Sequence, residues 1–140
     1  MALRAGYDDA ILLNTKGDVA EGSGANLFAI KNGTLVTNDF DGSIVMGITR
    51  DSVLEIARDL KIPTSVRPLL PADLQTADEL FFSGTAVEVT PITELDGRTL
   101  SHGKPGPVTR RLQTTFFEAV HGRLPQYQRW LSNVGVAQGV

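Results

Sequence analysis

The chain has 140 residues and a formal net charge of −3. That is long enough to bury a core without a covalent staple, and without a basic block it does not suggest a nucleic-acid partner. It has no cysteine, which excludes disulfides and thiolate metal ligands, and its two histidines, His102 and His121, are too far apart to suggest a histidine metal site. No apolar run reaches the roughly 18 residues that a bilayer-crossing helix needs, and the opening MALRAGYDDA has no secretory apolar core. The expectation is a cytoplasmic protein with no metal and no membrane partner.

The first third alternates like hairpins. Ala10-Ile11-Leu12-Leu13 runs into the turn cluster Asn14 to Asp18, and Leu27 to Ile30 faces Thr34-Leu35-Val36 across Lys31-Asn32-Gly33. Asn-Gly is a strong hairpin signal because both residues tolerate positive φ. Over residues 49–61, TRDSVLEIARDLK, the apolar positions Val53, Leu54, Ile56, Ala57 and Leu60 share one helical stripe. Thr49 is the expected cap, with Asp51 and Lys61 matching the two ends of the helix dipole. A strand is expected from Thr64 to Leu70, then a short helical turn from Pro71.

Strands Glu79 to Phe82 and Val87 to Thr90 flank a second small-residue break, and Asp96-Gly97 marks a turn. Pro107 opens a helix that Gly122 closes, with Val108, Leu112, Thr115, Phe116, Ala119 and Val120 on its buried side. The tail LPQYQRWLSNV reads as an ordered extension anchored by Tyr127 and Trp130. Strands and helices mix without regular βαβ alternation, so the fold class is α+β.

Three places interrupt the strands with small or hydroxyl residues: 20–25, 47–49 and 83–86. Gly47-Ile48-Thr49 opens the best helix, and a helix N-terminus offers free amides and partial positive charge to an anion such as phosphate; the plainer reading is a turn and a cap. Ser83-Gly84-Thr85-Ala86 fits either a backbone nest for an anion or a bulge. Glu21, alone among small residues, is either a surface carboxylate or an acid presented to a cationic ring nitrogen. The second reading suits pyridoxal phosphate, a protonated heterocycle that also carries a phosphate. The three breaks fit one ligand better than three unrelated loops.

EGSGANLF at 21–28, GITRD at 47–51 and SGTAVEVTPI at 83–92 resemble the branched-chain amino-acid aminotransferases, pyridoxal-phosphate enzymes of fold type IV. GKPGPVTRRLQTTFFEAVHGRLPQYQRWL at 103–131 resembles their closing helix and tail. The resemblance spans nearly the whole chain. It implies a single domain over residues 1–140 like that family's large C-terminal cofactor domain, a hairpin-rich mixed sheet or pseudo-barrel with flanking helices. It also implies that Glu21 pairs with the pyridine nitrogen of pyridoxal 5'-phosphate. Ile48, Thr49 and Thr85 would hold the phosphate, and Thr85 and Ala86 would receive the substrate carboxylate. Asn26 would shape the turn behind Glu21.

By the same resemblance, the family's Schiff-base lysine lies upstream of Met1, before the segment matching Arg4 to Tyr7, and its small N-terminal domain is missing. None of Lys16, Lys31, Lys61 and Lys104 occupies that position. The implied activity is amino transfer from leucine, isoleucine or valine to 2-oxoglutarate in a homo-oligomer, with the chain inactive by itself. Two other readings remain open here: a non-catalytic module binding pyridoxal phosphate, a phosphate ester or a protein, and a D-amino-acid aminotransferase or aminodeoxychorismate lyase relative.

Overall fold

The computed structural model describes residues 1–135. Chain order is β1 (Ile11–Leu13), β2 (Val19–Gly22), β3 (Asn26–Lys31), β4 (Thr34–Thr37), α1 (Ile48–Asp59), β5 (Thr64–Val66), α2 (Pro71–Thr76), β6 (Glu79–Gly84), β7 (Glu88–Ile92), β8 (Glu94–Leu95), β9 (Arg98–Thr99) and α3 (Pro107–Val120). Strands β5-β4-β3-β6-β7 form one five-stranded sheet, while β1-β2 and β8-β9 are separate pairs. Every pair is antiparallel except β4–β5, which is parallel. The mixed sheet with helices agrees with the expected architecture. The β4–α1–β5 crossover adds a parallel pair that a hairpin reading does not contain.

Alternation along β3 and β6 sorts the core onto the two sheet faces. Phe28, Ile30, Leu35, Phe81 and Val89 pack with Val53, Ile56 and Ala57 of α1 and Leu112, Phe116 and Ala119 of α3. At the middle of this layer the rings of Phe28 and Phe81 stack with centroids 4.8 Å apart. Leu27, Ala29, Val36, Leu80 and Phe82 face the other way, onto Val19, Leu69, Leu74 and Leu100. Asn32 and Gly33 form the β3–β4 turn at φ 48° and 77°, and Asp96 and Gly97 repeat it between β8 and β9 at 48° and 80°.

Several local expectations are corrected. The cap of α1 is Gly47, in extended conformation at φ −69° and ψ 145°, while Thr49 is buried inside the first turn. The helix ends at Asp59, and Lys61 turns the chain at φ 59°. The strand after Pro63 stops at Val66. Arg67 still donates its amide to Thr37 O, but Pro68 has no N–H with which to extend the ladder. On α3 the fully buried threonine is Thr109; Thr115 is half-buried and bonds back to Arg111 O.

Two polar contacts fasten the helices. Glu79, 5% exposed at the start of β6, accepts hydrogen bonds from the amides of Val108 (3.2 Å) and Thr109 (2.8 Å). Its carboxylate therefore closes the N-terminus of α3 from the edge of the sheet face on which that helix packs, where the helix dipole favours negative charge. Gly106, the N-cap, lies against this carboxylate with no room for a Cβ. At the other end, Tyr127 is 1% exposed and donates its hydroxyl to Asp59 Oδ2 (2.7 Å). Burial, with the Asp59 carboxylate beside it, pushes the Tyr127 phenol up to about 12, so it keeps its donated proton. The expected tail anchor is present: Trp130 stacks on Tyr127 with centroids 4.4 Å apart.

Glu79→Ala leaves two amides of α3 without acceptors. The expected loss of unfolding free energy is about 2–3 kcal/mol, from the typical strength of charge-assisted hydrogen bonds. Gly106→Ala should destabilise to a similar degree, because its Cβ must displace the carboxylate. Urea denaturation of both variants checks this; wild-type midpoints would mean that α3 needs no such closure.

Candidate functional site

The fold brings the three breaks together at one end of the β3–β6 pair. In the sheet register Asn26 lies opposite Ser83, so the end of the first break and the start of the third lie side by side. A Cβ on Gly84 would lie 3.3 Å from Gly24 O and 3.5 Å from the Ala25 Cβ, which places the SGTA turn against the GSGA turn. The second break joins them through Asn26. Its Nδ2 donates to Val45 O (2.6 Å) and to Glu21 Oε2 (3.3 Å), and its Oδ1 lies against Gly47.

Glu21 sits at the end of β2 and is half-buried. Besides Asn26, the amide of Val45 donates to its Oε2 (3.1 Å). Among the described residues nothing donates to Oε1, so the carboxylate is oriented by one oxygen and has acceptor capacity on the other. Helix α1 begins directly after this contact. It has no side-chain cap, so its first-turn amides are available to an anion. The Ile48 side chain is 84% exposed, so only its backbone can serve the site, whereas Thr49 is 8% exposed. Thr85 and Ala86 are exposed in the turn that follows β6. Met1, the position upstream of which the resemblance puts the Schiff-base lysine, is fully exposed. Its carbonyl accepts the Ala5 amide (3.2 Å), and it takes no part in the hydrogen bonds of the site.

Residues not singled out in the sequence hold this arrangement in place. Arg50, 3% exposed, donates from Nη2 to Asn38 O (2.7 Å), and Asn38 Nδ2 donates to Val19 O (2.5 Å) on the strand that carries Glu21. Ser83 is fully buried beside Asn26, and its Oγ has no hydrogen-bond partner among the described residues. Asp9 closes the outer edge of the first break: Ser23 Oγ donates to its Oδ1 (2.5 Å), as does the Ala10 amide (2.7 Å). The one signal in the sequence for this framework is the run of small residues, which only lets backbone segments approach; it does not say which side chain links them. Among the described residues no cluster of three or more metal-ligating side chains occurs, and no helix is long and apolar enough to cross a membrane.

Comparison with known proteins gives the family of the chain. The amino-transferase class IV family matches residues 1–95. The probable branched-chain-amino-acid aminotransferase of Aquifex aeolicus is 47% identical over 134 residues, covering 95% of this chain and 43% of that protein. The branched-chain-amino-acid aminotransferase of Escherichia coli K12 is 41% identical over 133 residues, again 95% and 43%. Among solved structures, the Thermobaculum terrenum branched-chain amino acid aminotransferase in its PLP form superposes with a TM-score of 0.93 at 41% identity, covering 96% of this chain and 44% of that one. The branched-chain aminotransferase of Thermoproteus uzoniensis, solved with norvaline, gives 0.88 at 44% identity, covering 93% and 43%. The chain belongs to the class IV aminotransferases. It spans less than half the length of the relatives it matches.

The Asp9 contact gives a pH-dependent reporter at the edge of the site. Burial opposes ionisation of Asp9, but hydrogen bonds from the Ser23 hydroxyl and from the Ala10 and Ser23 amides outweigh it and hold the carboxyl below the usual aspartate range. A depressed folded-state value means that its contribution to stability is complete above the ordinary carboxylate range and is lost as pH falls through the lowered value. An NMR titration of the Ala10 and Ser23 amide shifts should show this low midpoint, and Ser23→Ala should move it upward. A midpoint at the ordinary aspartate value in the wild type would rule the contact out.

Proposed function

We propose that this chain is the cofactor-holding part of a branched-chain amino-acid aminotransferase and that it holds pyridoxal 5'-phosphate. The single observation that carries the reading is the convergence of an oriented acid, an uncapped helix start and a Thr-bearing turn around Asn26. These are the donor and acceptor types that a cationic ring bearing a phosphate requires. Bound pyridoxal phosphate supplies an electron sink for the carbanion formed at the amino acid's Cα. The Glu21 carboxylate would favour the protonated form of the ring nitrogen by its charge. The amides of Ile48 and Thr49, the Thr49 hydroxyl and Thr85 hold the phosphate at the positive end of α1. Thr85 and Ala86 receive the carboxylate of the substrate, leucine, isoleucine or valine in one half-reaction and 2-oxoglutarate in the other.

In this reading residues 1–140 form one domain equivalent to the large C-terminal domain of the relatives. The lysine that carries the cofactor, together with the small domain, comes from outside this stretch, upstream of Met1. Two observations support that. The chain covers 43% of its relatives, and Lys16, Lys31, Lys61 and Lys104 are all exposed, with Lys31 facing Asp78 (3.6 Å). A lysine tuned for covalent and proton-transfer chemistry needs burial. The apolar rim of the site, with Phe40 60%, Val45 69% and Ile48 84% exposed, is where the rest of such an enzyme and a second copy would pack.

The test uses the 140-residue chain with pyridoxamine 5'-phosphate, which needs no lysine to bind. Thr49→Ala and Thr85→Ala should each weaken binding about tenfold or more, the cost of losing one donor to a charged group. With leucine and 2-oxoglutarate the chain by itself should form no glutamate above the rate of free pyridoxal phosphate. Unchanged affinity in both variants, or enzyme-dependent glutamate formation by these 140 residues, would overturn the assignment.

A further inference from the structure

We infer that Asn26 is a positioning residue whose one side-chain amide fixes the Glu21 carboxylate relative to the N-terminus of α1. The inference rests on the reading that these two groups hold opposite ends of one ligand. Asn26 is 6% exposed, and its backbone is locked by pairing with Ser83 at the end of the β3–β6 ladder. Both hydrogens of Nδ2 are needed, one for Val45 O and one for Glu21 Oε2. Val45 returns the contact by donating its own amide to the same carboxylate oxygen, and its carbonyl also accepts the Gly47 amide (3.0 Å). Glu21, Asn26, Val45 and Gly47 thus form a closed set of hydrogen bonds that ends where the helix begins.

The opposite side of the amide explains the glycine. A Cβ at position 47 would come within 2.5 Å of Asn26 Oδ1, a distance that forces either the amide or the helix start to move. Gly47 is therefore required by the tether as well as by any anion. Other residues at position 26 fail for separate reasons. Aspartate has the right shape but no hydrogens to donate, and its charge would face Glu21; serine is too short to reach both acceptors. Glutamine carries the amide one methylene too far for a buried site.

The experiment combines amide hydrogen exchange on the 140-residue chain with NMR of pyridoxamine 5'-phosphate labelled with ¹⁵N at the ring nitrogen. Asn26→Ala should speed exchange at Val45 and Gly47 about tenfold, the scale of one lost hydrogen bond to a charged network, while Phe28 and Phe81 in the core follow global stability alone. Gly47→Ala should reproduce the faster exchange at Val45 and carries the test if Asn26→Ala does not fold. In the wild type the bound ring nitrogen should stay protonated to higher pH than in free solution. Both variants should lower that midpoint by about one pH unit, a tenfold change in proton affinity. Unchanged exchange at Val45 in both variants overturns the inference. So does faster exchange with an unmoved ring midpoint, which would make the amide purely structural. If the wild type binds no pyridoxamine 5'-phosphate, the functional reading fails, and the exchange rates alone decide whether Asn26 holds the segment.

Discussion

The register of β3 against β6 is the constraint on which the rest depends. Asn26 faces Ser83 at one end of this pair and Ile30 faces Glu79 at the other. The same alternation that buries Phe28 and Phe81 between the sheet and the helices puts Asn26 and Glu79 on that face. A slip of one residue would send both polar groups to the opposite face along with the apolar ones. The core fixes the register, and the register delivers the amide to α1 and the carboxylate to α3.

The segment between β4 and α1 is held at its two ends, with Ile44 buried and Asp41 accepting a hydrogen bond from Asn14 Nδ2 (3.1 Å) in between. Near β4, Arg50 and Asn38 tie it to Val19; near α1, Glu21 and Asn26 tie it to Val45. Between these points Phe40 is 60% exposed. A segment fastened this way can present backbone groups in a defined place while the exposed side chains of Phe40, Val45 and Met46 remain available to whatever packs over the site. Arg50 makes the inner fastening notable, because its Nε is buried with no partner among the described residues. Such a group is costly to enclose, so the contact with Asn38 O has to be specific to be worth keeping.

Much of this was legible in the sequence, and the part that was not has a physical cause. The Asn32-Gly33 and Asp96-Gly97 turns, the stripe of α1 and the Pro107 helix start are local signals, carried by φ preference and a 3.6-residue period. The three small-residue breaks were visible too, together with the resemblance that linked them to one ligand. What could not be read was which side chains close the gaps. Asn26 reaches Val45 across 19 residues and Glu79 reaches Thr109 across 30, and no periodicity connects them. Thr49 looked like the α1 cap because threonine commonly is one; here a neighbouring strand's amide occupies the space, and only glycine fits beside it.

The carboxylate of Glu79 has a consequence for selectivity. The two long helices begin alike, each with an extended glycine at the cap and no side-chain cap of its own. Left bare, both would attract anions, and a phosphate would have two competing destinations on one chain. The protein's own acid permanently fills the α3 end, which makes that end chemically silent toward phosphate. Of these two helix starts only that of α1 is left open, and it lies next to Val45, which Glu21 and Asn26 hold.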